Sequence, residues 1–243
     1  MSISENKVWV LIPAAGIGSR MQSVIPKQYL QVCGSTVLEH TLRCFTDFSE
    51  VAGIVVVVSP DDDHWPSLAL ESPLFNNTKF QIHQAFGGSD RAETVQNGLS
   101  YLIEEIGLDD SQWVMVHDAA RPCLGQKDLL ELLDVRTDKN FDGAILGYKA
   151  KDTMKRANVG VSEIAYTEPR ENLWHALTPQ MFRLKELYDA IGAAKDSSYL
   201  VTDEASAMEF SGKKVALVEG ASDNIKLTSP SDLRLIEFLL QGK

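Results

Sequence analysis

The fold class of this chain is decided by residues 8–21, which read VWVLIPAAGIGSRM. The run Val8–Ile12 is apolar and rich in residues that favour strands, and a loop of small residues follows it. Loops of this kind let backbone N–H groups come close to a phosphate. The stretch therefore predicts a buried strand that opens into a phosphate-binding loop. Taken alone, the loop is equally compatible with a structural turn.

Strand and helix patterns alternate along the rest of the chain. Further strands are predicted from apolar runs at Ile54–Val58, Trp113–His117, Ala144–Leu146 and Val215–Val218. Helices are predicted from apolar residues at helical spacing over 95–106, 129–133 and 233–240, the last beginning at Ser229, Pro230 and Asp232. This alternation is typical of an α/β fold with a mostly parallel sheet, and the lack of internal repeats favours one domain over 1–243.

The segment 151–174 departs from this pattern. It is polar and charged, it is interrupted by Gly160 and Pro169, and it has no helical stripe. A connection of this length is either disordered or a projecting, functional arm. The alternation of Val161, Ile164 and Tyr166 favours a hairpin within it.

Composition excludes several classes of protein. Of the 243 residues, 44% are hydrophobic and 23% are charged, as expected of a soluble globular chain. The net charge of -11 argues against a nucleic-acid or anionic-membrane surface, and no apolar run approaches the roughly 20 residues of a membrane span. The first residues do not form a secretory signal, so a cytoplasmic location is expected. The three cysteines have no disulfide or zinc spacing.

Two cations flank the small-residue loop. Arg20 lies within it and Lys27 follows seven residues later. Cations beside backbone donors suit a polyphosphate, because phosphoryl and nucleotidyl transfer depend on alignment and on stabilising negative charge. The alternative for Lys27 is a solvated surface cation. A nicotinamide oxidoreductase is disfavoured, because Met21 stands where the dinucleotide fingerprint requires a glycine.

Short motifs recur in order over almost the whole chain. They are PAAGIGSRM at 13–21, PKQY at 26–29, GGSDR at 87–91, HDAARP at 117–122, DTMKR at 152–156, LWHALTPQ at 173–180, TDEASA at 202–207 and DNIKLT at 223–228. Together they resemble the cytidylyltransferases that act on sugar-alcohol phosphates.

The resemblance implies a Rossmann-like, three-layer sheet of the nucleotidyltransferase type. It also implies a Mg²⁺-dependent homodimer in which 151–174 is a projecting dimerisation arm. The implied activity is transfer of a cytidylyl group from CTP to 2-C-methyl-D-erythritol 4-phosphate, with ribitol 5-phosphate as the alternative acceptor. A non-catalytic nucleotide-binding module is a further alternative, but it predicts loss of Arg20, Lys27 or Lys226, and all three are present.

The same resemblance implies a nucleotide site. Its residues would be Pro13, Ala14, Ala15, Gly16 and Gly18 at the triphosphate, Gly87, Gly88, Ser89 and Thr94 at the cytosine, and Asp118 and Ala119 at the end of a strand. Ser89 and Thr94 stand where family members often carry Asp and Ser. Asp118 is also the candidate Mg²⁺ ligand, since ligands bind at strand ends in open α/β sheets and Mg²⁺ prefers carboxylate oxygens. The alternative for Asp118 is a carboxylate that caps the next helix.

The implied catalytic residues are Arg20, Lys27, Arg170 and Lys226. For the acceptor, the resemblance implies contacts from Arg121, Thr153, Arg170, Thr178, Thr202 and Lys226. Arg170 and Thr153 would serve the active site of the partner subunit, because they lie at the two ends of the arm. The alternative for Arg170 is an exposed ion pair with Glu168 or Glu171.

Overall fold

The structure is a computed structural model and describes residues 7–16, 25–76 and 81–242. The strands in these ranges are Val8–Pro13 (β1), Gln31–Val32 (β2), Ser35–Thr36 (β3), Val51–Val58 (β4), Gln81–Phe86 (β5), Trp113–Val116 (β6), Gly143–Lys149 (β7), Met154–Ala157 (β8), Ile164–Glu168 (β9), Trp174–Arg183 (β10) and Val215–Glu219 (β11). The helices are Val37–Thr46 (α1), Trp65–Glu71 (α2), Arg91–Glu104 (α3), Gln126–Asp134 (α4), Leu184–Asp196 (α5), Glu204–Phe210 (α6) and Pro230–Gln241 (α7). Among these helices, none has the length and apolar character needed to cross a bilayer.

Seven strands form one sheet in the order β11-β7-β10-β6-β1-β4-β5. Neighbouring strands are parallel, except that β10 runs antiparallel to both β6 and β7. Each strand predicted from the sequence has its counterpart in this sheet. The prediction of a mostly parallel α/β fold is therefore confirmed.

The inner strand β1 is buried on both faces, because helices cover both sides of the sheet and make the architecture three-layered. Val10 and Ile12 pack in one core with α1, α2 and α4. Trp9 and Leu11 point to the opposite core, which contains α3, α5 and α6. Because successive side chains of a strand alternate between faces, a strand that is apolar throughout needs helices on both sides. The small hairpin of β2 and β3 packs instead with α7, through Val32 and Ile236.

Helix α3 lies directly over the sheet because Gly98 has no side chain. A Cβ at this position would come within 2.6 Å of Leu11 Cδ1 and of Val57 Cγ2. Asp90 caps the first turn, and its Oδ1 accepts from the backbone N–H of Glu93 at 2.8 Å. The close packing and the cap together hold the start of α3 at the carboxyl edge of the sheet.

The predicted start of the last helix is also confirmed. Helix α7 begins at Pro230, and the Asp232 carboxylate accepts from the backbone N–H of Ser229 at 2.7 Å and of Thr228 at 2.8 Å. These bonds fasten the loop that precedes the helix and carries Lys226.

The segment between β7 and β10 is a hairpin of β8 and β9, which pair antiparallel and form their own sheet. The hairpin prediction is confirmed, and the disordered alternative is wrong. The predicted boundary at 174 overlaps β10, which begins at Trp174. Large apolar side chains of the arm face solvent, among them Val159, fully exposed, and Ile164, 61% exposed.

Candidate active site

A cleft of about 220 Å³ opens where the loops after β1, β5 and β6 meet the loop before α7. The chain leaves β1 for β4 on one side of the sheet and reaches β6 on the other, so the cleft lies at a topological switch point, where open α/β sheets bind ligands. The predicted nucleotide residues that line it are Pro13, Ala14, Ala15, Gly16, Gly88, Ser89, Thr94, Asp118 and Ala119. Lys27 and Lys226 line it as well. Gly18 and Arg20 lie outside the described residues.

The loop after β1 is held by a side chain that the sequence analysis did not assign to the site. Gln28 is almost fully buried, and its Nε2 donates to the carbonyl oxygens of Ala14 at 2.8 Å and Gly16 at 3.3 Å. A buried amide that binds two carbonyl oxygens of this loop stabilises one conformation of its backbone. The sequence feature that could have indicated Gln28 is its position directly after Lys27 in the same motif.

The two lysines of the cleft lie on adjoining parts of the chain. Lys27 Nζ donates to the carbonyl oxygen of Leu227 at 3.0 Å, and Lys226 Nζ lies 3.0 Å from Asp118 Oδ2. Leu227 is itself fixed, since its N–H donates to Ala120 O at 2.8 Å. The structure therefore brings together two of the four predicted catalytic residues, and Lys27 is half-buried and hydrogen-bonded at the cleft.

Asp118 is the centre of the charge distribution. Its carboxylate is 9% exposed and lies 3.0 Å from Arg121 Nε, 3.0 Å from Lys226 Nζ and 3.5 Å from Arg91 Nη2. Burial raises the pKa of this carboxyl, but the charges of Arg91, Lys226 and Arg121 outweigh burial and hold the pKa well below its usual range. The alternative of a helix cap is wrong, because α4 begins only at Gln126 with Gly125 before it.

A buried network under the cleft holds Asp118 in place. Thr178 Oγ1 accepts from the backbone N–H of Asp118 at 3.1 Å and lies 3.0 Å from His117 Nδ1. His117 Nε2 lies 3.1 Å from the carbonyl oxygen of Arg121, which can only accept, so Nε2 carries the hydrogen and Nδ1 accepts from Thr178. Asn224 completes the network by donating from Nδ2 to Thr178 O at 2.8 Å and accepting Arg121 Nη1 at its own carbonyl oxygen at 2.7 Å.

His117 predicts a pH dependence of stability. Burial lowers the pKa of His117 to about 4. Between pH 6.5, near the ordinary pKa of histidine, and pH 4, the unfolded chain binds a proton at His117 that the folded chain does not. The contribution of neutral His117 to the free energy of unfolding is therefore fully present above about pH 6.5, and about 3 kcal/mol of it is lost on acidification to pH 4. Urea unfolding of wild type and His117→Gln at several pH values measures this difference. Parallel curves for the two proteins would contradict it.

The loop after β5 forms the other wall of the cleft. Gly87 has no room for a side chain, since a Cβ would lie 2.7 Å from Ala15 Cβ, so the two glycine-rich loops are in contact. Thr94 Oγ1 donates to Asp90 O at 2.7 Å and accepts from the N–H of Gly88 at 3.2 Å. These bonds fix the loop, and the predicted contacts of Gly87, Gly88, Ser89 and Thr94 with a base stay predictions.

Arg91 connects this wall to Asp118. Its guanidinium binds Glu204 with its two terminal nitrogens, Nη1 to Oε1 at 2.5 Å and Nη2 to Oε2 at 3.2 Å. Glu204 is 1% exposed and follows Asp203, whose Oδ2 accepts from Gln180 Nε2 at 2.9 Å. Arg91, Glu204 and Gln180 were not predicted as site residues, because their partners are far away in the sequence.

The predicted acceptor residues lie in three different environments. Arg121 and Thr178 are buried in the network under Asp118, where their polar atoms bind other protein groups. Thr202 is exposed on the loop before α6, and Thr153 is exposed where the arm begins. Arg170 is exposed where the arm ends, and its Nη1 donates to the carbonyl oxygen of Lys151. Among the described residues that line the cleft, Lys226 is the one predicted acceptor residue.

Asp118 fits a magnesium ion as a single protein ligand. The described part of the chain holds no group of three or more His, Cys, Asp or Glu side chains able to surround a metal. Mg²⁺ retains several waters and is usually bound through one or two carboxylates and the phosphates of a substrate. An ionised carboxylate at the edge of a phosphate-sized cleft matches that donor set, with the phosphates and water supplying the other ligands.

A switch-point cleft with a small-residue loop, two lysines and an ionised aspartate has the groups that a nucleotidyltransferase needs to align and screen phosphates. A sequence-family profile described as 2-C-methyl-D-erythritol 4-phosphate cytidylyltransferase matches residues 8–242. The proteins of that name from Pseudoalteromonas atlantica and Vibrio atlanticus are 47% and 45% identical to this chain, over 96% and 99% of it and 95% and 98% of their own lengths. This chain belongs to the 2-C-methyl-D-erythritol 4-phosphate cytidylyltransferase family.

Solved structures agree with this assignment. A crystal structure of 4-diphosphocytidyl-2C-methyl-D-erythritol synthase matches with a TM-score of 0.80 and 36% identity, over 97% of this chain and 99% of that one. The 2-C-methyl-D-erythritol 4-phosphate cytidylyltransferase of Francisella tularensis matches with a TM-score of 0.78 and 32% identity, over 96% and 99%. The predicted nucleotidyltransferase type of the fold is thereby confirmed.

Proposed function

We propose that this cleft transfers the cytidylyl group of CTP to the phosphate of 2-C-methyl-D-erythritol 4-phosphate. An oxygen of the acceptor phosphate attacks the α-phosphorus of CTP, the bond from the α-phosphorus to the bridging oxygen breaks, and pyrophosphate leaves with that electron pair. A phosphate monoester is already a nucleophile at neutral pH, so alignment and charge screening carry the reaction without a general base. The observation that carries the proposal is the pair of lysines in a cleft at the switch point.

On the nucleotide side, the loop Pro13–Gly16, continued by Gly18, surrounds the triphosphate. Lys27 and Arg20 stabilise the negative charge that grows on the α-phosphate during attack. Gln28 supports the role of the loop, because it binds two of its carbonyl oxygens and so leaves other backbone groups to face the phosphates.

On the acceptor side, Lys226 and Arg170 bind the phosphate of methylerythritol phosphate and align it with the α-phosphorus. Thr153, Thr178 and Thr202 add hydroxyl contacts, and Arg121 contacts the polyol. Burial of Thr178 and Arg121 gives both a second role, which is to hold Asp118 in its observed orientation.

Mg²⁺ is the proposed cofactor, and it would screen the charge of the triphosphate. Asp118 and Ala119 lie at the end of β6, where Asp118 would contribute the protein carboxylate. The carboxylate also pairs with Lys226, Arg121 and Arg91.

The proposal includes a homodimer, in which each subunit is a single domain over 1–243. The arm supports it: its apolar side chains are exposed, and it carries Arg170 and Thr153 outside the cleft of its own chain. Arg170 and Thr153 of the partner subunit would complete each active site.

The test is pyrophosphate release with CTP and Mg²⁺, comparing methylerythritol 4-phosphate, ribitol 5-phosphate and no acceptor. Release that depends on the first acceptor supports the proposal. The family membership disfavours ribitol 5-phosphate. Release with ribitol phosphate instead would replace the acceptor, and silence with both would favour a binding protein without catalysis.

A mixed-dimer experiment tests the role of the arm. Lys27→Ala and Arg170→Ala are each expected to be inactive, because each dimer then lacks one group in both sites. Co-expressed with different tags, they should recover roughly a quarter of wild-type turnover, because half of the dimers are mixed and each of these has one complete site. Recovery that stays at the level of the separate variants would show that both groups act within one subunit.

A further inference from the structure

The two walls of the cleft differ in charge. One wall carries Lys27 and Lys226. The other is the start of α3, which presents the carboxylate of Asp90 and the guanidinium of Arg91, and Arg91 is already paired with Glu204 and Asp118. The free charge at the first wall favours phosphates, whereas the cation of the second wall is neutralised by its own carboxylate partners, so an uncharged base is the part of the nucleotide that the second wall suits.

Ser89 on the second wall has a fixed hydroxyl hydrogen. Glu93 Oε2 accepts from both the N–H and the Oγ of Ser89, each at 2.7 Å. The hydroxyl and amide of Ser89, together with Lys195, whose Nζ lies 3.2 Å from Glu93 Oε1, lower the pKa of Glu93 to about 2. An ionised carboxylate cannot donate, so the hydrogen of this contact belongs to Ser89 and points at Glu93.

The hydroxyl of Thr94, on the same wall, also donates to a protein group. Thr94 gives its hydrogen to the carbonyl oxygen of Asp90 at 2.7 Å. Both hydroxyls of this wall therefore donate into the protein, so toward a ligand they can act only as acceptors. A wall that offers acceptors binds an amino group and disfavours a carbonyl oxygen at the same place.

We infer that Glu93 is a specificity-determining positioning residue, which fixes Ser89 as an acceptor and thereby selects a base with an exocyclic amino group over one with a carbonyl. This inference rests on the proposed function, and it adds to it the physical basis for choosing CTP over UTP. Glu93 acts through Ser89 and does not itself contact the nucleotide.

The test is the ratio of the dissociation constants of CTP and UTP, measured by calorimetry without acceptor. Glu93→Ala removes the oxygen that accepts from Ser89, which releases the hydroxyl to donate to O4 of UTP. The preference for CTP is expected to fall about tenfold, in part because UTP binds more tightly than to wild type. Damage to the fold would weaken both nucleotides, so a gain for UTP separates specificity from structure.

Ser89→Ala removes the acceptor and is expected to lower the preference by a similar factor, with no further loss in the double variant. The matched control is Glu104→Ala on the same helix, because Glu104 Oε1 accepts from Ser100 Oγ at 3.0 Å with the same four-residue spacing. Its preference should equal that of wild type.

The outcomes separate this inference from the proposed function. A wild-type preference that survives within twofold in Glu93→Ala, or equal weakening of both nucleotides, would overturn the inference alone. A wild-type protein that binds CTP no better than UTP would overturn the proposed function as well.

Discussion

Turnover of Lys27→Ala is expected to be more than a hundredfold below that of wild type, while the free energy of unfolding changes by about 1 kcal/mol or less. The loss follows from the role proposed for Lys27, which is to stabilise charge on the α-phosphate in the transition state. The small effect on stability follows from its position, because its ammonium lies in the cleft and its hydrogen bond to Leu227 O is only partly buried.

Pyrophosphate release at saturating CTP and acceptor measures the first effect, and urea unfolding measures the second. Lys127→Ala is the matched control, since Lys127 is a lysine on α4 whose side chain is 84% exposed and pairs with Glu131. It should keep wild-type turnover. A Lys27→Ala protein that is fully active would remove Lys27 from the mechanism.

Asp118→Asn is expected to combine a comparable loss of turnover with a loss of stability of about 3 kcal/mol. An amide keeps the shape of the carboxylate but leaves Arg121, Lys226 and Arg91 without their shared negative charge. This loss of stability lies at the lower end of the range for a broken buried ion pair, because Arg91 retains Glu204 and Lys226 can turn to solvent. The substitution also removes the one protein carboxylate proposed for Mg²⁺, so more Mg²⁺ should be needed for half-maximal rate.

Three measurements check this prediction: urea unfolding, turnover, and a Mg²⁺ titration of the rate. Asp142→Asn is a suitable control, because Asp142 pairs with Lys213 at 3.7 Å on the surface and such pairs contribute about 1 kcal/mol or less. An unchanged free energy of unfolding in Asp118→Asn would contradict the argument from burial. Unchanged turnover and metal dependence would exclude Asp118 from the site.

The elements that the sequence predicted correctly are those with a local signal. Val8–Ile12 reads as a buried strand from its own residues, and α7 begins where Ser229, Pro230 and Asp232 favour a helix start. The arm was recognised as an exception for the same reason, since the segment between β7 and β10 lacks the apolar pattern of its surroundings.

Two strands of the sheet had no such signal. β5 is an edge strand in which Ala85 is the buried residue, so its sequence is polar. β10 is buried over most of its length, but Pro179 and Gln180 interrupt the apolar pattern, and Gln180 is accommodated by bonds to Asp203 and to the N–H of Ala205. Its antiparallel insertion between β6 and β7 depends on pairing across the sheet, which no local pattern encodes.

By itself, the sequence determined the α/β class, the loop after β1, the arm, and the kinds of residue at the candidate site, because periodicity, turn residues and motifs are local properties. Only the tertiary structure decided which of these residues meet. Asp118 shares its charge with Arg91, Arg121 and Lys226, and Gln28 binds Ala14 and Gly16, through contacts that span up to about a hundred residues of chain. Such contacts arise when separate strands end at one edge of a sheet, and their energies depend on burial, which a linear sequence does not contain.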